Sequence, residues 1–428
     1  MTDMANKVRT YYCIDMKTFY ASVECAERGL NPFDTNLVVA DVTRGKNALC
    51  LAISPKLKAQ GVRNRCRLSE IPNGIKYEIA PPRMQLYIDY AADIYDIYLD
   101  YISPQDIHVY SIDEAFIDAT DYLKLYNLSE IEFAKKLITE IAARKKIPST
   151  AGVGTNLFLA KVALDITAKK NKSHIGYLTE ELFKQTLWTH RPITDFWHIA
   201  GGTAQRLSRY AIYDMRGVAS APVDLLYKEF GVDAELLIDH AHGRESCTIA
   251  DIKAYKSKSH SVSFSQILPR DYNFSEARVV IEEMALHGAY ELMKRGVVTD
   301  KVCVAVNYSH SEIPTTHGAK KLNANTALNS VISAAALEVF DGTTDRSTPI
   351  RRLSMDFENV VDEAYESYDL FTDTTKTEKE KRSQRAALDI KKKYGKNSIL
   401  VGTNYLDCAT QRERNTFIGG HRAGDDTR

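Results

Sequence analysis

YSIDEAFID, residues Tyr110–Asp118, sets two adjacent carboxylates, Asp113 and Glu114, between strand-forming flanks. Val109, Tyr110 and Ile112 precede the acids, and Phe116 and Ile117 follow them. Neighbouring negative charges repel, and burial penalises both unless a cation lies between them. The stretch predicts a hairpin or strand end that waits for positive charge.

A third acid belongs with this pair. Asp15 closes the strand-like run YYCID, in which Tyr11, Cys13 and Ile14 supply the β character. If that strand lies beside the 107–119 hairpin, Asp15 reaches the same end of the sheet as Asp113. Three converging carboxylates are hard-oxygen ligands suited to Mg²⁺. Such a site can hold two ions roughly 4 Å apart, one lowering the pKa of an attacking hydroxyl and one clamping phosphate oxygens.

At 428 residues the chain exceeds one ordinary core, and about three or four domains are expected. With 44% apolar and 26% charged residues it has the make-up of a soluble globular protein. Its apolar runs stop short of the roughly 20 residues of a membrane span, and the N-terminus lacks an apolar signal-peptide core. The seven cysteines are scattered, with no C-x-x-C pair, which argues against a disulfide framework or zinc site and for a cytoplasmic location. Net charge is zero, but 142–172 carries Arg144, Lys145, Lys146, Lys161, Lys169, Lys170 and Lys172 against the single acid Asp165. That stretch can bind phosphates, or it can be a solvated helix face.

Outward from the acids, the pattern gives a strand at 9–15, a helix at 18–29, a hairpin from NLVVAD and ALCLAIS, and a short helix PKLKAQG started by Pro55. A helix after Pro81–Pro82 leads to the acidic hairpin; helix 129–146, strand 149–154 and helix 156–170 follow, an α+β layer with helices on one face. Residues 179–245 read as all-helical, with 196–219 giving a helix, a turn at Gly201–Gly202 and a second helix. Residues 246–256 lack periodicity and read as a linker. Strand 259–267, helix 275–295, strand 300–308, a strand or loop in 310–323, helix 324–340 and strand 349–358 suit a β-α-β-β-α-β unit. In SHSVSFSQILPRDY, Val262, Phe264 and Ile267 are expected on one face and Ser261, Ser263 and Ser265 on the other, hydroxyls that track phosphates without reading bases or simply wet a sheet face.

IDMKTFYASVE together with SIDEAF resembles the two metal-binding motifs of the Y-family, or translesion, DNA polymerases. TLWTHRPITDFWHIAGGTA, SHSVSFSQILPRDY and RNTFIGGHRAGD are similar to the bacterial UmuC-type branch, so the resemblance spans nearly the whole chain. It implies a multidomain α+β right hand: a palm at 1–20 and 82–178, small fingers at 21–81, a helical thumb with a helix-hairpin-helix at 179–245, the linker 246–256, a β-α-β-β-α-β little finger at 257–360, and a tail at 361–428. The implied activity is low-fidelity, template-directed addition of dNTPs to a primer 3′-hydroxyl with two Mg²⁺, past damaged bases, in SOS-type damage tolerance.

By the same resemblance Asp15, Asp113 and Glu114 are catalytic and hold the ions, with the Met16 carbonyl as a further ligand. Tyr20, beside Phe19, takes the steric-gate position that excludes a 2′-hydroxyl. Lys58, with neighbouring Lys56, and Lys169 face the triphosphate, although Pro55 replaces a phosphate-binding Tyr found in many members. Gly201, Gly202, Ser261, Ser263, Ser265 and Arg270 are the candidate DNA contacts. Leu370 and Phe371, in ESYDLFTD, resemble the anchors of a sliding-clamp peptide, with Ser367 in place of the usual Gln. Primer–template DNA, dNTPs, a sliding clamp, and a UmuD-like accessory protein or recombinase filament are the implied partners, with no membrane. Two rival readings are a palm-domain nucleotidyl cyclase and a non-catalytic DNA-binding accessory.

Overall fold

The computed structural model describes residues 9–257, 260–310, 312–368 and 372–424. They form two compact units, 1–255 and 256–428. Among the described residues no helix is long and apolar enough to cross a membrane.

In the first unit, β1 (Tyr11–Met16) is buried on both faces because Tyr11, Tyr12, Cys13 and Ile14 are all apolar. It leads into α1 (Phe19–Glu27). A small lobe follows: β2 (Leu37–Val39) pairs antiparallel with β3 (Ala52–Ile53), then comes α2 (Pro55–Ala59), and β4 (Glu78–Ala80) runs parallel to β2. Pro55 starts α2, as the sequence suggested, and the Ser54 side chain caps it. After α3 (Met84–Leu99), β5 (Ile107–Val109) and β6 (Glu114–Asp118) form the hairpin that carries the acids. A short α4 (Tyr122–Tyr126) and the long α5 (Glu130–Lys145) lead to β7 (Ser149–Gly154). The sheet is completed by β8 (Ile175–Leu178), in the order β5-β6-β1-β7-β8, and its strands β1 and β7 are covered on both faces rather than on the one face expected.

Strand β8 was not expected, because its four residues are too few for a period to emerge. The helix expected at 156–170 is also broken. It runs as α6 (Leu157–Val162), a π turn at 163–167 and a 3-10 turn at 168–170. Glycines let α6 lie directly on β7: a Cβ on Gly152 would stand 2.1 Å from the Ala160 carbonyl oxygen, and one on Gly154 2.2 Å from the Ala160 nitrogen.

The helical stretch comprises α7 (Glu180–Thr186), α8 (Gly201–Ser208), α9 (Met215–Ser220), α10 (Val223–Phe230) and α11 (Asp233–Ala241). Gly201 and Gly202 do not form the turn between two helices; they are the first residues of α8, and the turn is 209–214, where Ala211 takes a positive φ. The supposed linker contains α12 (Ile249–Ala254). Thr248 and Asp251 close a capping box at its start, and Ile249 is buried with Tyr11, Cys13 and Phe116. Its length is too short to show a helical period.

The second unit follows the expected order: β9 (Val262–Tyr272), α13 (Phe274–Lys294), β10 (Val297–Tyr308), β11 (Thr316–Thr326), α14 (Asn329–Thr343) and β12 (Ile350–Glu358). The sheet order is β11-β10-β12-β9, and its core joins Val302, Val304, Met355 and Phe357 to Ile281, Ile332 and Phe340 of the two helices. On β9 one residue departs from expectation. Ile267 is 70% exposed and lies on the serine side, because strict alternation from Val262 puts odd positions outward. A two-residue β13 (Val361–Asp362) pairs with β10, and α15 (Thr374–Tyr394) packs on α13. The buried Glu283 of α13 accepts from Asn404 Nδ2 at 2.7 Å, the Thr410 N–H at 2.8 Å and the Gln411 N–H at 3.1 Å, which ties the C-terminal segment into this unit.

Candidate active site

The β1–β6 ladder sets Asp15 directly opposite Glu114, and the Met16 N–H donates to the Asp113 carbonyl at 2.9 Å. All three predicted carboxylates therefore arrive at one end of the sheet. Burial pushes the Asp15 carboxyl up to about 7; the Lys169 ammonium, 3.9 Å away, opposes this, and the negative charges of Asp113 and Glu114 add to it. Asp113 accepts from the Ser111 hydroxyl at 2.7 Å.

The three acids do not form a ready-made cage. Among the described residues no group of three His, Cys, Asp or Glu side chains is drawn together tightly enough for an ion. Glu114 is engaged elsewhere: Lys161 Nζ lies 2.7 and 2.9 Å from its two oxygens, and the Cys13 thiol donates to it at 2.9 Å. The chemistry of the donors still fits Mg²⁺. Hard carboxylate oxygens share one sheet end, and the charge of Asp15 is disfavoured there until a cation arrives.

Beside the acids, Phe19 is buried and Tyr20 half-buried. The Tyr20 ring stacks on Tyr87 at 4.5 Å and 15°, and the Tyr87 hydroxyl donates to the buried Glu24 at 2.7 Å, so the ring is braced from behind. Burial raises the Tyr20 hydroxyl, Asp113 adds to the rise, and Arg65 opposes it. The aromatic therefore shares its surroundings with Asp113.

Lys58 and Lys169 also come to this place. Burial lowers the Lys58 ammonium, Asp15 counters, and Lys169 repels. Lys17 behaves alike, feeling Asp15, Lys169 and Lys58, and stands 2.9 Å from His174 Nδ1. The sequence reading passed over Lys17, His174, Arg65 and Lys161 as site residues. For Lys161 there was a signal: Lys161, Asp165 and Lys169 are spaced four apart and share one helix face. Lys56 is engaged instead with the Asp34 carbonyl.

Of the candidate DNA contacts, Gly201 and Gly202 have open space above them at the start of α8. Ser261, Ser263 and Ser265 are exposed, and Ser265 accepts from Arg352 at 3.0 Å. Arg270 is engaged within its own unit, with Glu276 at 2.7 Å and over the Tyr272 ring at 4.5 Å. Leu370 and Phe371 lie outside the described residues.

The chain belongs to the Y-family DNA polymerases. The impB/mucB/samB family matches residues 14–165, and the C-terminal domain of that family matches 257–370. The chain is 31% identical to the "Putative UV-damage repair protein UvrX" of Bacillus subtilis (strain 168), over 96% of this chain and 97% of that protein. It is 30% identical to "DNA polymerase IV 2" of the same organism, over 97% and 99%. In fold it resembles the "Y-family DNA polymerase chimera Dbh-Dpo4(243-245)-Dbh", with a TM-score of 0.65 and 21% identity over 82% of this chain and 99% of that one.

Proposed function

We propose that the protein is a low-fidelity, template-directed DNA polymerase that extends a primer 3′-hydroxyl past damaged bases. The observation that carries this reading is the register of Asp15 against Glu114, with Asp113 adjacent, at a sheet end lined by Tyr20, Lys17, Lys58 and Lys169. Asp15, Asp113, Glu114 and the Met16 carbonyl are the residues to hold two Mg²⁺, which when bound supply charge neutralisation and a lowered hydroxyl pKa.

The chain's own residues do the rest. Lys17, Lys58 and Lys169 draw the triphosphate to the acids as flexible point charges. Tyr20, fixed by its stack on Tyr87, leaves no room for a 2′-hydroxyl. The lobe that carries β2, β3 and β4 has a small core of its own, in which Val38, Ile53, Leu57 and Ile71 take part. So small a lobe cannot close tightly over the nascent pair, which leaves discrimination to pairing and stacking. The serine side of β9 and the start of α8 offer hydroxyls and backbone N–H groups to DNA phosphates. SOS-type damage tolerance in the cytoplasm, with a clamp docked through Leu370 and Phe371 and a UmuD-like protein or recombinase filament assisting, completes the proposal.

Primer extension with Mg²⁺ and dNTPs, run beside Asp113→Ala, tests it. Extension by the wild type and a loss of at least about 1,000-fold in the variant are expected. A cyclic nucleotide made without primer, or DNA binding without extension, would overturn it.

A further inference from the structure

Glu114 faces Asp15 across the ladder, yet its carboxylate is already taken. Lys161 holds both of its oxygens, and the two side chains are each only 10% exposed. The contact does not end there. Lys161 also reaches Asp165 at 3.0 Å, Asp165 holds Lys169 at 2.7 Å, and Lys169 stands 3.9 Å from Asp15. Charge alternates along Glu114, Lys161, Asp165, Lys169 and Asp15, and the two ends of the series meet across β1 and β6. The series runs through the π turn at 163–167, and turns of that kind gather at functional positions.

A buried ion pair of this sort adds little net stability, since desolvation offsets attraction, but breaking it is costly. That makes it better suited to fixing a state than to holding the fold. We propose that Lys161 is a positioning residue that keeps Glu114 turned away from the metal centre and weakens the binding of divalent ions when no nucleotide is present. The inference rests on the reading of Asp15, Asp113 and Glu114 as ion ligands. An arriving cation must take Glu114 from an ammonium and then remain close to that ammonium, and both steps oppose binding. A triphosphate beside Lys17, Lys58 and Lys169 brings negative charge to the same place and tips the balance. The centre then fills only in the company of its substrate.

Calorimetric titration of the full chain with Mn²⁺ alone, without DNA or nucleotide, tests this. Lys161→Met removes the charge and keeps the length. It is expected to bind Mn²⁺ roughly tenfold more tightly than the wild type, a change of about 1.4 kcal/mol. Its metal-free form should melt lower, and Mn²⁺ should raise its Tm by more than it raises that of the wild type. Lys161→Arg should stay near wild type in both. Should Lys161→Met fail to fold, Lys161→Gln serves in its place with the same expected tightening. Unchanged or weaker Mn²⁺ binding in the neutral variant would overturn the proposal and leave Lys161 a structural brace. Asp113→Asn separates the two claims: it should abolish Mn²⁺ binding, and if it does not, the ligand reading itself fails.

Discussion

The sheet of the first unit gathers Asp15, Asp113 and Glu114 at one strand end, with β1 and β7 buried on both faces. In the second unit, β10 and β12 alternate buried and partly exposed residues, and polar groups spread along the open face. Ser263, Ser265, Arg352 and the Lys301–Glu358 pair lie there, while Val302, Val304, Leu353 and Phe357 point into the core. A sheet covered on both sides can present chemistry only at its ends, where strands leave the core. A sheet with one free face can present it over its whole length. The first arrangement suits a reaction at one point, and the second suits contact with an extended polymer.

That contrast has a packing counterpart and predicts the largest effect. The first sheet is covered so closely that Gly152→Ala would drive a Cβ to 2.1 Å from one backbone atom of the overlying segment and 2.3 Å from another. Backbone has no rotamer to yield, so a cost above about 4 kcal/mol is expected, with loss of the first unit's calorimetric transition. Gly288→Ala in the second unit meets the Phe357 ring at 2.3 Å, a side chain that can shift. Its cost is expected near 1–3 kcal/mol. Equal destabilisation of the two units in differential scanning calorimetry would break the comparison.

Two carboxylates of the first unit, the buried Glu24 and the half-buried Asp15, sharpen it further, because they respond to pH with opposite sign. Burial alone would raise Glu24, but Arg83, Arg28 and Tyr87 outweigh it and hold the acid below the ordinary range. Its contribution is therefore complete above about pH 4.3, the unfolded value, and is lost as pH falls through the lower folded one. Glu24→Gln should cost about 3 kcal/mol at neutral pH, since it strands buried partners. Asp15, raised to about 7, does the reverse. Between about pH 4 and 7 the folded protein binds the extra proton, so its contribution to stability falls as pH rises through that window. Asp15→Asn should thus stabilise the metal-free protein at about pH 8, by on the order of 2 kcal/mol. Urea unfolding of Asp15→Asn at about pH 5 and 8, and of Glu24→Gln at about pH 3 and 8, checks the signs, and a destabilised Asp15→Asn would show that its charge is not strained.

Much of this was legible before any coordinates. The strand-forming residues around Asp113 and Asp15 mark the acids. Their convergence is legible only if strand 9–15 lies beside the 107–119 hairpin, and through the resemblance of IDMKTFYASVE and SIDEAF to the family's metal-binding motifs. The β-α-β-β-α-β order follows from long, strongly periodic elements such as α13. What stayed hidden was short or tertiary. β8 and α12 have four and six residues, too few to reveal a period, and both are held by contacts distant in sequence. Lys161 looked like one more cation in a basic run; only the fold brings it to Glu114, which lies far from it along the chain. Ile267 was a plain error of alternation, since an odd position cannot share a face with Val262 and Phe264.

The open face of the second sheet predicts the smallest effect, because its polar groups act in parallel. Ser265→Asp adds one negative charge beside Arg352, which already contacts the Ser265 hydroxyl at 3.0 Å. The new carboxylate would engage that guanidinium and repel a phosphate. Primer–template affinity should weaken by only about two- to fivefold at low salt, and the difference should shrink as ionic strength rises. The incorporation rate at saturating DNA should be unchanged, since no reacting atom is touched. Fluorescence anisotropy across a salt series, beside single-turnover incorporation, measures both quantities. A fall in the saturated rate without a fall in affinity would mean that this face acts at a point after all, and the contrast between the two sheets would no longer hold.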